Sequence, residues 1–391
     1  MTESRRNSTI DSQVSQLPTQ VAFCSCCGLS NQRPRIVFDE NGKCSACHYQ
    51  GEKDNGINWD KRQDELLRLL DQHRSKDGRF DVIVPCSGGK DSIIVAHQLK
   101  HKYGMNPLTV TWAPFLYTDI GRYNMDAFIA SGFDNVTCTP NGQTHRRLAR
   151  HCFELVGDPF HAFVMGQMAY PFRVALETGI KLVFYGENGE AEYAGVGAHK
   201  DLPGMPLEYF RDQYFKGVNA GRFLDYGFTA AELDLYTMPS YERLRAAGIQ
   251  MHWFGYYNKW TPQWNYYYAV ENCGFRANPE RSEGTFSKYA SLDDKMDGIH
   301  FYLKFIKFGF GRATDDAAQE VRNGHITREE AVALIRRYDG EFPKKYFQEC
   351  LDYMGITEEQ FWELANRYRQ DHIWEKTGPG PQDWKLKTQV E

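Results

Sequence analysis

The sequence predicts an α/β protein built on a parallel sheet, preceded by a small cysteine-rich module and followed by a mainly helical region. Three observations carry this expectation. Between residues 79 and 275, short apolar runs alternate with longer amphipathic stretches, the pattern of a parallel sheet covered on both faces. Residues 21–50 hold two Cys-x-x-Cys pairs in a turn-rich setting. Residues 276–391 carry two capping boxes, Thr327-x-x-Glu330 and Thr357-x-x-Gln360, each ahead of a helical apolar pattern. Five segments result: a polar, disordered tail (1–20), a zinc ribbon (21–50), a linker helix (51–78), the α/β domain (79–275) and the helical region (276–391).

The elements follow in order. Residues 58–75 read as a helix with Leu66, Leu67, Leu69 and Leu70 as its apolar stripe. Phe80–Pro85 suits a buried strand, and Asp91–Tyr103 has helical spacing at Ile94, Val95, Gln98 and Leu99. Pro107–Trp112 is a second strand, Asn124–Ser131 a helix ended by Gly132, and Asn135–Cys138 a third strand. A long helix from about His161 to Glu177 leads to the strand Lys181–Tyr185. The fifth strand is Ile249–Tyr256, after which Thr261 and Pro262 open a helix. A further helix is expected at Asp297–Phe308.

Composition removes several classes. No run approaches the ~18 consecutive apolar residues of a membrane-spanning helix. Residues 1–20 lack the apolar core of a secretory signal, which makes a cytoplasmic location with reduced cysteines the default. A net charge of −5, from 46 basic and 51 acidic residues, disfavours a protein dominated by nucleic-acid backbone binding.

Cys24 and Cys27 are separated by 16 residues from Cys44 and Cys47. Each pair turns sharply enough to aim two sulfurs at one ion, and four thiolates close a tetrahedral zinc site with no open position, so the expected role is structural. Gly28 and Gly42 fall where tight turns are needed. Cys26 and His48 stand close enough in sequence to replace a ligand.

The loop Ser87-Gly88-Gly89-Lys90-Asp91-Ser92 lies between the first strand and the first helix of the α/β domain. Two glycines let backbone N–H groups approach an anion, the helix N-terminus adds its dipole, and the serines and Lys90 add donors and charge. Asp91, an acid placed at an anion site, fits a magnesium ligand. The loop is neither GxxxxGK[ST] nor GxGxxG. At the end of the fourth strand, Gly186-Glu187-Asn188-Gly189-Glu190-Ala191-Glu192 offers three carboxylates, with Glu187 nearest the strand. Ligands bind at strand C-termini in α/β sheets, so Glu187 is the second candidate for magnesium.

SGGKDS resembles the SGGxDS signature of the PP-loop ATP pyrophosphatases, which have an adenine nucleotide α-hydrolase-like, Rossmann-type fold and split ATP between the α and β phosphates. Taken with the cysteine pairs, GENGEAEYAG and EGTFSKYASLDDKMD (283–297), the chain resembles over about residues 21–375 the WbpG- and PseA-like N-acetyl sugar amidotransferases. That resemblance implies ATP-dependent conversion of an acetamido to an acetamidino group on a sugar, in O-antigen or nonulosonic-acid biosynthesis. It implies ATP and Mg2+ at Ser87, Gly88, Gly89, Lys90, Asp91 and Ser92, with Asp91, Lys90 and Glu187 carrying the chemistry. It also implies ammonia from a separate glutaminase through a cyclase-like channel subunit, both similar to histidine-biosynthesis proteins. The cysteines agree, since none lies in a GxCxG elbow and position 2 is Thr2.

Nine aromatics crowd residues 253–268. Flat apolar rings with polar edges suit a sugar, and Lys259 and Trp260, just beyond the fifth strand, are the expected contacts, with Lys288 as a third. Two rival readings remain: a tRNA-thiolating PP-loop enzyme, which wants a basic face and a catalytic thiol for which Cys86 is the candidate, and a non-catalytic ATP-binding zinc-ribbon adaptor.

Overall fold

The computed structural model describes residues 12–391 except 196, 207, 208, 210–214 and 216. Its centre is a five-stranded parallel sheet of β1 (Val82–Pro85), β2 (Pro107–Trp112), β3 (Asp134–Cys138), β4 (Leu182–Tyr185) and β5 (Gln250–Trp253), in the order β3-β2-β1-β4-β5. Ile83 registers with Leu108, Val82 with Leu182, and Val183 with Met251. Successive side chains go to opposite faces and both faces are covered. Val82, Val84, Leu182 and Phe184 belong to one apolar cluster, Ile83, Val183 and Met251 to the other. That is why these strands read as continuous apolar runs.

The helices that matter here are α1 (Ser45–Asn55), α2 (Trp59–His73), α3 (Lys90–His101), α4 (Asp119–Ala130), α5 (Gly142–Val156), α6 (His161–Thr178), α7 (Gly189–Glu192), α8 (Pro262–Cys273), α9 (Asp297–Phe308), α10 (Arg312–Arg322), α11 (Arg328–Tyr338), α12 (Phe347–Met354) and α13 (Glu358–Arg367), with other short helical segments besides. α2, α3 and α8 cover one face of the sheet; α5 and α6 cover the other, and α9, α12 and α13 extend that second core. On α2, Leu66 and Leu70 are buried, whereas Leu67 is exposed. Both capping boxes form, at Thr327/Glu330 and Thr357/Gln360.

Four expectations change. β5 ends at Trp253 rather than Tyr256: the chain turns at the sheet edge into a helical turn (Phe254–Tyr257), which sends Phe254 and Tyr257 into the core. α4 starts five residues before Asn124, because Thr118 caps it through a hydrogen bond from the Gly121 N–H. The helical region also contains an antiparallel pair, β6 (Trp374–Lys376) with β7 (Trp384–Leu386), strands too short to show a period. Of the segment read as tail, residues 1–11 lie outside the described residues. Val14 and Leu17 within it are buried against the cysteine module, Phe308 and Phe310.

The cysteine module leads into α1, which packs on α7, the turn after β4. The helical region is tied to the sheet through residues 292–296. The Asp294 carboxylate accepts hydrogen bonds from the N–H groups of Phe115, Leu116 and Met296, and Thr118 donates to the Leu292 carbonyl.

Candidate active site and cysteine cluster

In this strand order β1 and β4 are neighbours whose following connections run to opposite faces, the arrangement that opens a crevice at strand C-termini. The SGGKDS loop leaves β1 there and the acidic loop leaves β4. A cavity of about 600 Å3 lies between them, lined by Ser87, Gly89, Asp91, Ser92, Glu187 and Glu190 among others.

The first loop is built from backbone. Gly88 has φ +77°, and a Cβ there would lie 2.9 Å from the backbone N and Cα of Met125 on α4, so only glycine fits. Gly89 stands at the N-cap of α3, and its carbonyl accepts from the Ser92 hydroxyl at 3.0 Å. The helix N-terminus thus faces the cavity with its N–H groups. Asp91 is held on two sides: its Oδ1 accepts from Asn265 Nδ2 at 2.9 Å, and its Oδ2 pairs with Lys90 Nζ. Lys90 and Gly88 do not line the cavity; Lys90 Nζ sits 5.9 Å from the Tyr289 ring centre.

The second loop divides its three carboxylates. Glu187 faces Asp91 across the crevice and accepts from the Tyr193 hydroxyl at 3.2 Å. Burial, with the Asp91 charge adding to it, pushes Glu187 up to about 7. Glu190 pairs with Arg35 at 2.6 Å, and Glu192 makes a buried pair with Lys53 at 2.9 Å. These two are already neutralised by cations, so Glu187 would be the loop's candidate metal ligand.

More carboxyls lie behind the loop. Asp293 is raised by burial, with a hydrogen bond from Ser87 opposing the shift, and burial pushes Asp294 up to about 7. Asp297 is raised well above the carboxylate range by burial and by these two neighbours. Acids crowded in this way favour a bound divalent cation. Asp91 and Glu187 would hold magnesium on the cavity side.

The four cysteines converge. Cys24 and Cys47 sulfurs lie 3.8 Å apart, as do those of Cys27 and Cys44, and all four sit within 4.8 Å of one another. Tetrahedral thiolates at ~2.3 Å from a zinc stand roughly 3.8 Å apart, so the residues fit a structural zinc. Cys24 Sγ also accepts the N–H groups of Cys26 and Cys44 at 3.4 and 3.3 Å. Hydrogen bonds from Cys27, Cys44 and Cys47, in that order of weight, pull the Cys24 thiol far below its ordinary value. Gly28 and Gly42 take the positive φ of the turns. The two substitute ligands fall away: Cys26 is exposed outside the cluster, and His48 Nε2 is 2.8 Å from Asp39.

The expected sugar contacts do not come together at the cavity. Trp260 is 2% exposed and packs in the core, Lys259 pairs with Asp54 at 2.6 Å, and Lys288 donates to the Pro279 carbonyl at 2.9 Å. The crowd of aromatics there follows from packing between α8, α3 and the turn after β5. The cavity walls that sequence reading missed are Arg33 and Arg35 from the cysteine module, Asp158 and His300 (paired at 3.0 Å), and Tyr193. Asn265, which holds Asp91, was missed as well. Tyr193 lies inside the GENGEAEYAG stretch and Arg33 and Arg35 lie between the cysteine pairs, so these three had a sequence signal in their position; Asp158, His300 and Asn265 belong to no motif.

No helix among the described residues is long and apolar enough to cross a membrane. No curated protein matches the chain. Residues 283–391 match the family described as LPS biosynthesis protein WbpG-like, C-terminal domain. The matched segment begins at the stretch that delivers Asp293 to Ser87 and Asp294 to the end of β2, so it packs directly behind the SGGKDS loop. The similarity to the WbpG-like C-terminal domain of LPS biosynthesis proteins thus covers residues 283–391 of the chain.

Proposed function

We propose that the protein is an ATP-dependent, AMP- and pyrophosphate-forming amidotransferase. It converts an acetamido group of an N-acetylated, nucleotide-linked sugar to acetamidino in cytoplasmic synthesis of O-antigen or a nonulosonic acid. The observation that carries this reading is the facing of the SGGKDS helix N-terminus and the Asp91–Glu187 acid pair across one cavity at the β1/β4 crevice. Together with a WbpG-like C-terminal domain, that arrangement favours phosphate chemistry in surface-sugar synthesis.

Loop N–H groups and the Ser87 and Ser92 hydroxyls bind the β and γ phosphates and stabilise charge on departing pyrophosphate. Asp91, fixed by Asn265 and Lys90, and Glu187 would hold magnesium, which would supply Lewis acidity at the phosphates. The amide oxygen attacks the α-phosphorus; the O–P bond forms as the bridge to the β-phosphate breaks, giving an O-adenylyl imidate. Ammonia adds to the imidate carbon, AMP leaves with the oxygen, and the product is an amidinium. No protein nucleophile is needed; positioning and electrostatics lower the barrier. Ammonia comes from a separate glutaminase through a cyclase-like subunit.

The tRNA-thiolation reading gains no support from Cys86, whose thiol is buried and pushed up to about 11 by burial, the opposite of an activated thiol. The test is release of AMP and pyrophosphate with ATP, ammonium and a panel of nucleotide-linked diacetamido sugars, read by mass. Release that requires such a sugar, with a product about one mass unit lighter, supports the proposal. tRNA-dependent release, or no AMP under any condition, rejects it.

A further inference from the structure

Three contacts tie the cysteine module to the loop that carries Glu187. Lys53, on α1 six residues after Cys47, is 2% exposed. Its ammonium donates to both Glu192 oxygens at 2.9 Å and to the Trp260 carbonyl at 2.9 Å. Arg35, between the cysteine pairs, holds Glu190. Arg322 on α10 bridges the two regions, with Nη1 3.7 Å from Cys27 Sγ and Nη2 donating to the Glu192 carbonyl at 3.0 Å. Within the described residues 186–195 the regular structure is the single turn Gly189–Glu192, capped by Asn188. A four-residue turn is not stable alone; its position is set by what grips it.

We infer that Lys53 is a positioning residue through which the metal-loaded cysteine cluster fixes the Glu187 loop, so that metal occupancy and Mg·ATP binding are coupled. The inference rests on the proposed zinc and Mg·ATP occupancy. Cys44 is the N-cap of α1 and Cys47 lies in its first turn. Loss of the ion frees that helix end, withdraws Lys53 and leaves Glu192 as a buried carboxylate without its cation, a state the loop escapes by moving. Glu187, five residues earlier on the same short loop, then loses its place opposite Asp91. Linkage requires the reverse: Mg·ATP held by Asp91 and Glu187 retains the loop, and with it Lys53 and the closed cluster.

The experiment is hydrogen exchange on the full chain, zinc-loaded and after chelation. Zinc removal should lower protection in residues 186–195 at least tenfold, alongside residues 24–55, while β1, β2 and β4 stay protected. Lys53→Met alone leaves a buried charge and is at risk of misfolding, so the informative variant is Lys53→Met with Glu192→Gln, which removes both charges. Zinc-loaded, it should keep one zinc per chain and a protected cysteine segment, yet exchange residues 186–195 as zinc-free wild type does. Unchanged protection of 186–195, either on zinc removal or in this variant, overturns the inference whatever the protein does with ATP. A second readout separates the two proposals. In wild type, Mg·ATP should slow zinc transfer to a chelator at least fivefold, with no slowing in the double variant. Failure to bind Mg·ATP at all rejects the proposed function, whereas binding with equal slowing in both proteins rejects the role of Lys53.

Discussion

The two loops that face each other across the cavity are built on opposite plans. The loop after β1 is nearly self-sufficient: its glycines, serines and helix start are contiguous, and its shape follows from Gly88 pressed against α4 and from the α3 N-terminus. The loop after β4 is a run of carboxylates that cannot hold itself in place. It is gripped by Arg35, Lys53 and Arg322, which lie 155, 139 and 130 residues away from the groups they bind. A phosphate cradle needs backbone amides in a fixed curve, which local sequence supplies. A metal-facing carboxylate needs its neighbouring charges cancelled, which only other segments can do.

The sharpest way to break this comparison is to damage the first loop alone. Gly88→Ala adds a Cβ at φ +77° and 2.9 Å from the Met125 backbone, and Asp91→Asn removes the charge proposed to hold magnesium. Each should lower pyrophosphate release more than 100-fold, with Asp91→Asn leaving the circular dichroism spectrum and zinc content unchanged. Survival of activity in Asp91→Asn would remove it from the metal site.

Next comes damage to the cysteine cluster. Cys44→Ser, or strong chelation, should expose residues 21–55 to protease and lower stability by several kcal/mol, with loss of one zinc per chain by metal analysis. An intact denaturation midpoint after chelation would show that no structural ion was there.

Asn265→Ala tests whether Asp91 needs its second support. With Lys90 still beside it, Asp91 keeps its charge but not its direction, so about tenfold weaker use of Mg·ATP is expected. The loss should shrink at high magnesium, read from the magnesium dependence of pyrophosphate release.

Glu187 gives a pH signature. Its folded value near 7 lies above the ordinary 4.5, so in the ligand-free chain its contribution to stability is fully present below about pH 4.5 and is lost as pH rises through about 7. Glu187→Gln should therefore raise the unfolding free energy at pH 8 by on the order of 1–2 kcal/mol, given that the group is half-buried, and change it little at pH 4. Added Mg·ATP should reverse the order at pH 8. The smallest effect belongs to Cys26→Ser, which should leave zinc stoichiometry and stability unchanged because that thiol is exposed outside the cluster.

The sequence by itself determined the parallel sheet, the phosphate-type loop and the four-cysteine cluster, because each depends on residues close together in the chain. Apolar period marks buried strands, contiguous glycines and serines mark an anion cradle, and paired Cys-x-x-Cys marks a tetrahedral ion. It could not show that Trp260 is buried in the core or that Lys259 and Lys288 pair away from the cavity, since an aromatic that fills a core and one that faces a ligand look the same in sequence. What only the tertiary structure decided is the division of labour among acids. Glu187, Glu190 and Glu192 are equivalent as letters. The folded chain sets the first opposite Asp91 and pairs the others with Arg35 and Lys53. Charge pairing over a hundred or more residues has no local period or spacing to betray it, and it is those distant cations that leave one carboxylate of three available for a metal.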